Sequence, residues 1–380
     1  MALKAVHVSD VPNLDHVPES VALSASLYMP GIESVRMNYK PPMFMVIGHR
    51  GSGMNMLQSP DKRMKAIKEN TILSFNNAAK ADLNFVEFDV QVTNDDCPVI
   101  FHDNFILTEE NGSLCEKRFT DLTLSEFLGY GPQRDAAIEG KSLLRKTKDG
   151  RIHSWNVEED DTFCTLQEAF LKVDPTLGFN IELKFDDNIN YQEHDLIHTL
   201  QVILQVVFEY SNERPIILSS FQPDAALLVR KLQSTYPVFF LSNGGSEVYS
   251  DVRRNSLEEA IKLCLAGGLQ GVVSEVKAIF RNPGFISKIK EANLSLLTYG
   301  QLNNVPEAVY MQNLMGVDGV IVDLVREISQ AVSSFNKSTE EEDTAVAGID
   351  ERDSWVTSKP KFSAKELSFL FKLIPELIQV

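Results

Sequence analysis

The sequence predicts a parallel α/β protein whose strands close into an eight-stranded barrel, and three observations carry that prediction. Short apolar, β-rich runs alternate with amphipathic stretches from Met43 onward, the pattern of strand–helix repeats in a parallel sheet. Nine runs qualify as strands, but one follows its predecessor too closely for a crossover helix, which needs a dozen or so residues. Histidines, carboxylates and fixed cations gather at the ends of these runs, where a barrel collects its functional groups.

Residues 1–42 hold Pro12, Pro18, Pro30, Pro41 and Pro42 without a sustained period and are expected to form an irregular arm. A barrel domain over 43–335 then has strands at 44–48, 85–92, 98–102, 178–183, 216–219, 238–242, 271–274, 294–299 and 319–323. Helices are expected over 71–81, 196–210, 223–233, 257–267, 284–292 and 305–314. Thr93-Asn94-Asp95-Asp96 is turn chemistry, so the run at 98–102 is the returning arm of a hairpin above the rim. That brings the strand count to eight and places His102 opposite about position 89. Residues from about 104 to 164 interrupt the alternation as an insertion, a lid or side module that a short linker should replace. Thr165-Leu166-Gln167-Glu168 reads as a capping box opening the next helix. Residues 336–361 turn acidic and polar, as a flexible linker does. The tail, 362–380, carries a capped apolar helix, expected to dock on the protein's own body or to join a second copy in a homo-oligomer.

At 43% hydrophobic and 23% charged, the 380-residue chain has ordinary globular composition. Its formal charge of −17 repels nucleic acid and anionic headgroups, so a phosphate must be met by a few local cations. Cys97, Cys115, Cys164 and Cys264 are scattered, which excludes a disulfide scaffold or zinc ribbon and predicts reduced, buried thiols. No apolar run approaches the roughly 18–20 residues of a membrane span. The N-terminal stretch lacks the apolar core of a secretory signal and carries Asp10, Asp15 and Glu19, which transit peptides avoid. An intracellular, cytoplasmic protein is the expectation.

Glu87 and Asp89 stand two apart in a strand, so both carboxylates point to one face. Glu182 and Lys184 repeat that spacing in a later strand. Glu87, Asp89 and Glu182 are therefore candidate ligands for one divalent cation, and all-oxygen ligation selects Mg²⁺ or Ca²⁺. His49 and His102 each end an apolar strand and are followed by Arg50 and Asp103. Imidazole titrates in the range that acid–base cleavage of a phosphodiester needs, so these two are the candidate catalytic pair. His7, His16, His153, His194 and His198 lack such context and are left as surface residues. Arg50 and Lys184 are the candidate phosphate ligands. Glu69, opening the first helix, either caps it or orients Arg50. Such a set is what metal-assisted cleavage of a phosphate ester requires.

His49-Arg50-Gly51, Glu69-Asn70-Thr71, Glu87-Phe88-Asp89-Val90, Pro98–Asp103 and Ile181-Glu182-Leu183-Lys184 follow in the order of the motifs of the glycerophosphodiester phosphodiesterase family, which the chain resembles. Gly316–Asp323 resembles that family's last-strand signature, and the acidic linker and Leu-Ile-Pro-Glu-Leu tail resemble its plant members. The resemblance implies a TIM-type (β/α)8 barrel, a bound divalent cation, and hydrolysis of substrates such as glycerophosphocholine or glycerophosphoethanolamine to sn-glycerol 3-phosphate and an alcohol. It also implies His49 and His102 as catalytic pair, Glu87, Asp89 and Glu182 as metal ligands, and Arg50 and Lys184 as phosphate contacts, beside which Glu69 is the further substrate-side candidate. Where the family often has Trp-Thr-Val-Asn, this chain has Thr298-Tyr299-Gly300-Gln301, so Tyr299 is expected to supply the aromatic wall of the substrate pocket. Plastid relatives make the stroma the alternative location. Two rival functions are a lyase that stops at a cyclic phosphate and a phosphodiester-binding protein with a dead site.

Overall fold

The computed structural model describes residues 39–334 except 42, 82, 136 and 148. Most of the irregular arm, the acidic linker and the C-terminal helix with its proposed oligomer contact lie outside the described residues.

The strands are β1 (Met45–Gly48), β2 (Phe85–Val92), β3 (Pro98–Ile100), β4 (Phe105–Glu110), β5 (Ser113–Arg118), β6 (Leu144–Lys146), β7 (Ile152–Ser154), β8 (Gly178–Leu183), β9 (Ile216–Ser220), β10 (Val238–Ser242), β11 (Gly271–Glu275), β12 (Ser295–Tyr299) and β13 (Gly319–Val322). Eight of them form a closed parallel barrel in the order β1-β13-β12-β11-β10-β9-β8-β2, with β1 pairing β2 to complete the ring. Helices such as Ile72–Ala79, Glu193–Tyr210 and Leu257–Gly267 run between them. The alternation read from the sequence is therefore a TIM-type barrel.

Strand alternation sorts the side chains. Met45, Ile47, Phe85, Ile217, Phe239, Leu241, Val273, Leu297 and Ile321 make one cluster, while Val46, Phe88, Ile181 and Val320 pack with helix residues such as Phe75 and Leu204. Phe88 sits between the rings of Phe75 and Phe179, at 5.2 and 4.9 Å. Glu87 and Asp89, its neighbours on β2, share the face of Phe85 and point into the barrel.

The expected hairpin exists, with a one-residue difference in register. β3 pairs antiparallel with β2 through Val90↔Ile100 and Gln91↔Val99. The loop is Asn94–Asp96, with Thr93 N–H donating to Cys97 O at 3.0 Å and Asp96 in the left-handed region at φ 58°. An odd-numbered loop sets Phe101 across from Asp89, Phe101 N–H donating to Asp89 O at 3.0 Å, and His102 stands one residue beyond.

The insertion packs against the hairpin arm of the rim. Its strands form a second, antiparallel sheet in the order β5-β4-β6-β7. Beneath that sheet lies an aromatic core of Phe119, Phe127, Tyr130, Trp155 and Phe163, and Val99 and Phe101 of the hairpin are buried in it. Phe101 contacts Phe119, Phe127 and Phe163 with ring centroids 5.5 Å apart. Removing residues 104–164 would bare the arm that carries His102. The capping box at Thr165 is present as read. Cys164 and Cys264 are buried as expected, whereas Cys97 and Cys115 are only partly so. Among the described residues, no helix is long and apolar enough to cross a membrane.

Because Phe127 is fully buried between Phe101, Phe119 and Phe163, Phe127→Ala should destabilise the protein by about 3–5 kcal/mol in urea unfolding. A loss below about 1 kcal/mol would show that hairpin and insertion do not share a core.

Candidate active site

The tight turn after β1 sets the first histidine. Arg50 adopts φ 49° and Gly51 φ 92°, and a Cβ at residue 51 would strike Ser74 Oγ. The left-handed turn at Arg50 costs about 1 kcal/mol and is clamped on both sides of the residue. Arg50 N–H donates to Glu87 Oε2 at 3.0 Å, and Arg50 O accepts from Asn70 N–H at 3.0 Å and Ser74 Oγ at 3.1 Å. Strand β13 ends beside β1, Gly48 pairing Val322, so the next residues on each chain face one another. That places Asp323 Oδ1 2.7 Å from His49 Nδ1.

Three carboxylates converge at the rim. Asp89 and Glu182 are registered neighbours on β2 and β8, and Glu87 lies two residues below Asp89. Oxygens of Glu87, Asp89 and Glu182 all lie within 4.8 Å of one another, and all three residues are buried. Oxygens sharing one Ca²⁺ at 2.3–2.6 Å can be at most about 5 Å apart, so the cluster fits a hard divalent cation, and among the described residues no histidine or cysteine joins it. Asn70 Oδ1, buried without a partner while its Nδ2 donates to Asp89 Oδ2 at 2.9 Å, leaves a further oxygen beside the cluster.

Burial and the proximity of Asp89 push Glu87 up to about 8, against the opposing pull of His49. Burial also raises Glu182, offset in part by Lys184, whose Nζ is 3.1 Å from Glu182 Oε1. Burial alone would raise Asp89 as well, but His102, Arg50 and Lys184 and the Asn70 hydrogen bond hold it down at about 2. Fully ionised, the triad would carry three negative charges against the two positive charges of Arg50 and Lys184.

The second histidine is held in the same manner as the first. His102 Nδ1 is 2.7 Å from Asp103 Oδ1, and Asp103 is clamped by Arg145 Nε at 2.8 Å and Nη2 at 3.1 Å. Burial, Arg50 and Lys184 push His102 down to about 4, so it is neutral near pH 7. For His49, burial favours the neutral ring, but Asp323 outweighs it and raises the pKa. The two imidazoles are biased in opposite directions.

Glu69 resolves in favour of orienting Arg50. Thr71 caps the helix Ile72–Ala79 through Ser74 N–H, and Glu69 Oε1 accepts from Arg50 Nη1 and Arg145 Nη2, each at 2.7 Å. Asn55 N–H takes the other oxygen, and the residue is 1% exposed, so both Glu69 oxygens are engaged by donors of the protein itself. Tyr299 lines the rim beside Phe221, ring centroids 5.9 Å apart, and its hydroxyl donates to Asn243 Oδ1. Of the histidines set aside, His194 and His198 are exposed, His153 is partly buried, and His7 and His16 lie outside the described residues.

With this geometry in hand, residues 49–327 match the model of the glycerophosphoryl diester phosphodiesterase family. The chain belongs to that family. It is 62% identical, over all of both chains, to a glycerophosphodiester phosphodiesterase of Arabidopsis thaliana named as chloroplastic. A glycerophosphocholine phosphodiesterase of Schizosaccharomyces pombe is 31% identical over 78% of this chain and 29% of its own length. Among solved structures, one from Silicibacter pomeroyi superposes with TM-score 0.58 at 20% identity, covering 78% of this chain and 96% of that one. A phosphodiesterase from Oleispira antarctica, solved with the product sn-glycerol 3-phosphate, gives TM-score 0.53 at 21% identity over 77% and 97%. At these identities the structural matches establish the fold of this family member.

The sequence reading assigned no role to Asp323, Arg145 or Asn70. Asp323 was within reach, since closing the barrel makes the residue after β13 the neighbour of His49. Arg145 was not, because nothing in the insertion's sequence says which of its cations turns toward the rim.

Asp323→Asn should lower the His49 pKa, because Glu87 is then left to oppose burial and Arg50 without the aspartate's charge. Imidazole NMR titration of the metal-free protein measures it. An unchanged His49 pKa would show that Asp323 does not set its charge.

Proposed function

We propose that the chain hydrolyses glycerophosphodiesters such as glycerophosphocholine and glycerophosphoethanolamine to sn-glycerol 3-phosphate and an alcohol. The observation that carries this reading is the placement of two imidazoles, each tied at Nδ1 to its own aspartate, around one buried carboxylate triad. The names of the relatives support it. Those from Arabidopsis are called glycerophosphodiester phosphodiesterases, and those from fission yeast and mouse glycerophosphocholine phosphodiesterases.

Glu87, Asp89 and Glu182 would hold one Mg²⁺ or Ca²⁺, which supplies Lewis-acid charge to the phosphate when bound. Lys184, its charged form favoured by Glu182 and Asp89 over the opposing effect of burial, meets a phosphoryl oxygen. Arg50, held by Glu69, meets another. His102, kept neutral, takes the proton from the nucleophile, either water or the neighbouring glycerol hydroxyl. His49, whose charged form Asp323 favours, gives a proton to the leaving alkoxide. Tyr299 and Phe221 form the aromatic wall against which the organic part of the substrate lies. The name of the 62%-identical relative favours the plastid stroma over the cytoplasm.

Given glycerophosphocholine and Mg²⁺ or Ca²⁺, the protein should release choline and sn-glycerol 3-phosphate, stop in EDTA and recover on adding metal back. Phosphorus NMR that shows an accumulating cyclic phosphate would instead make it a lyase. No turnover with either metal would make it a binding protein.

His49→Ala and His102→Ala should each lower kcat by about 10²–10⁴. A nitrophenyl ester, whose leaving group needs no proton, should restore turnover in His49→Ala alone. Recovery of His102→Ala instead would reverse the two roles.

A further inference from the structure

We propose that Arg145, supplied by β6 of the insertion, is a positioning residue that holds His102 and Arg50 in fixed relation to each other. The inference rests on the hydrolase reading above. One guanidinium links two carboxylates, and each carboxylate holds a different working group. Arg145 Nε and Nη2 donate to Asp103 at 2.8 and 3.1 Å, and Asp103 Oδ1 is 2.7 Å from His102 Nδ1. Arg145 Nη2 also donates to Glu69 Oε1 at 2.7 Å, the same oxygen that accepts from Arg50 Nη1 at 2.7 Å.

The guanidinium is itself fixed from behind. It lies 3.7 Å from the ring centroid of Trp155, whose Nε1 donates to Asn55 Oδ1 at 2.9 Å, and Arg145 Nη1 reaches Asn55 O at 3.4 Å. Nε and Nη2 are spent on Asp103 and Glu69, and the side chain is 12% exposed, so Arg145 acts through its neighbours. A planar fork can serve two carboxylates at once, and a lysine ammonium cannot reproduce that geometry. Without the fork, Asp103 loses its clamp and Glu69 keeps only Arg50 and the Asn55 amide. A displacement near 1 Å of a working group costs about 10²-fold in rate. The insertion thus braces the rim from outside.

The test is a kinetic cycle in the full-length chain with glycerophosphocholine and Mg²⁺. Arg145→Met should lower kcat by about 10²-fold through His102 and raise KM several-fold through Arg50. Placed on His102→Ala, the same change should lower kcat by less than about 3-fold while the rise in KM persists, because groups acting as a unit are not additive. Arg145→Lys, run through the same cycle, keeps the charge should the methionine variant fail to fold, and should retain less than about a tenth of kcat. Equal fold-losses in both backgrounds would mark Arg145 as merely structural and overturn the inference, as would full activity of Arg145→Lys. A wild-type chain inactive on every glycerophosphodiester overturns the hydrolase reading as well; an active wild type with multiplicative losses overturns only this inference.

Discussion

Mutual repulsion among Glu87, Asp89 and Glu182 is the constraint to which the rest of the rim responds. With oxygens within 4.8 Å, each pair of charges repels by roughly 3 kcal/mol at an effective dielectric constant near 20. Burial adds the cost of removing carboxylates from water. Lys184 and Arg50 offset part of this, reaching Asp89 at 3.8 and 3.5 Å. Glu87 receives least help: Arg50 N–H and a distant His49 Nε2 at 3.9 Å are what it has, and burial with Asp89 pushes it up to about 8. Three acids kept together at that cost, with an unpartnered amide oxygen beside them, are the feature on which the proposed cation site rests.

The neighbouring groups follow from that excess of negative charge. Arg50 is drawn to the rim but anchored on Glu69, one step outside the cluster, and Glu69 is in turn shared with Arg145. His102 stands where cations and burial keep it neutral, while His49 is countered by Asp323. The same two-part unit, imidazole Nδ1 on aspartate, therefore gives rings of opposite bias because their surroundings differ in sign. Barrel closure positions one unit and the hairpin positions the other, with the insertion bracing the hairpin through Phe101 and Arg145.

The sequence made most of the barrel legible because its strands are short, apolar and separated by helical patterns, and the same-face spacing of Glu87 with Asp89 and Glu182 with Lys184 is a local property of a strand. The strand at 98–102 was legible as a hairpin arm from the short connection and its turn residues, Thr93–Asp96. Its register differs by one residue: with the loop at Asn94–Asp96, Phe101 and not His102 stands across from Asp89. Contacts between distant segments were the least legible. Asp323 lies 274 positions from His49, and Arg145 lies 42 from Asp103 in a stretch without periodicity. The insertion looked detachable because its own sequence is polar, whereas its buried face is built from isolated aromatics at 119, 127, 155 and 163.

The carboxylate triad is the feature on which catalysis at this rim would depend. Anomalous diffraction from crystals grown with Mn²⁺, a scatterer that takes the same oxygen ligands, addresses it directly. One strong peak is expected within coordination distance of Glu87, Asp89 and Glu182, and it should vanish in Asp89→Asn crystals or weaken sharply. A peak elsewhere on the barrel with none among these three residues would contradict the account.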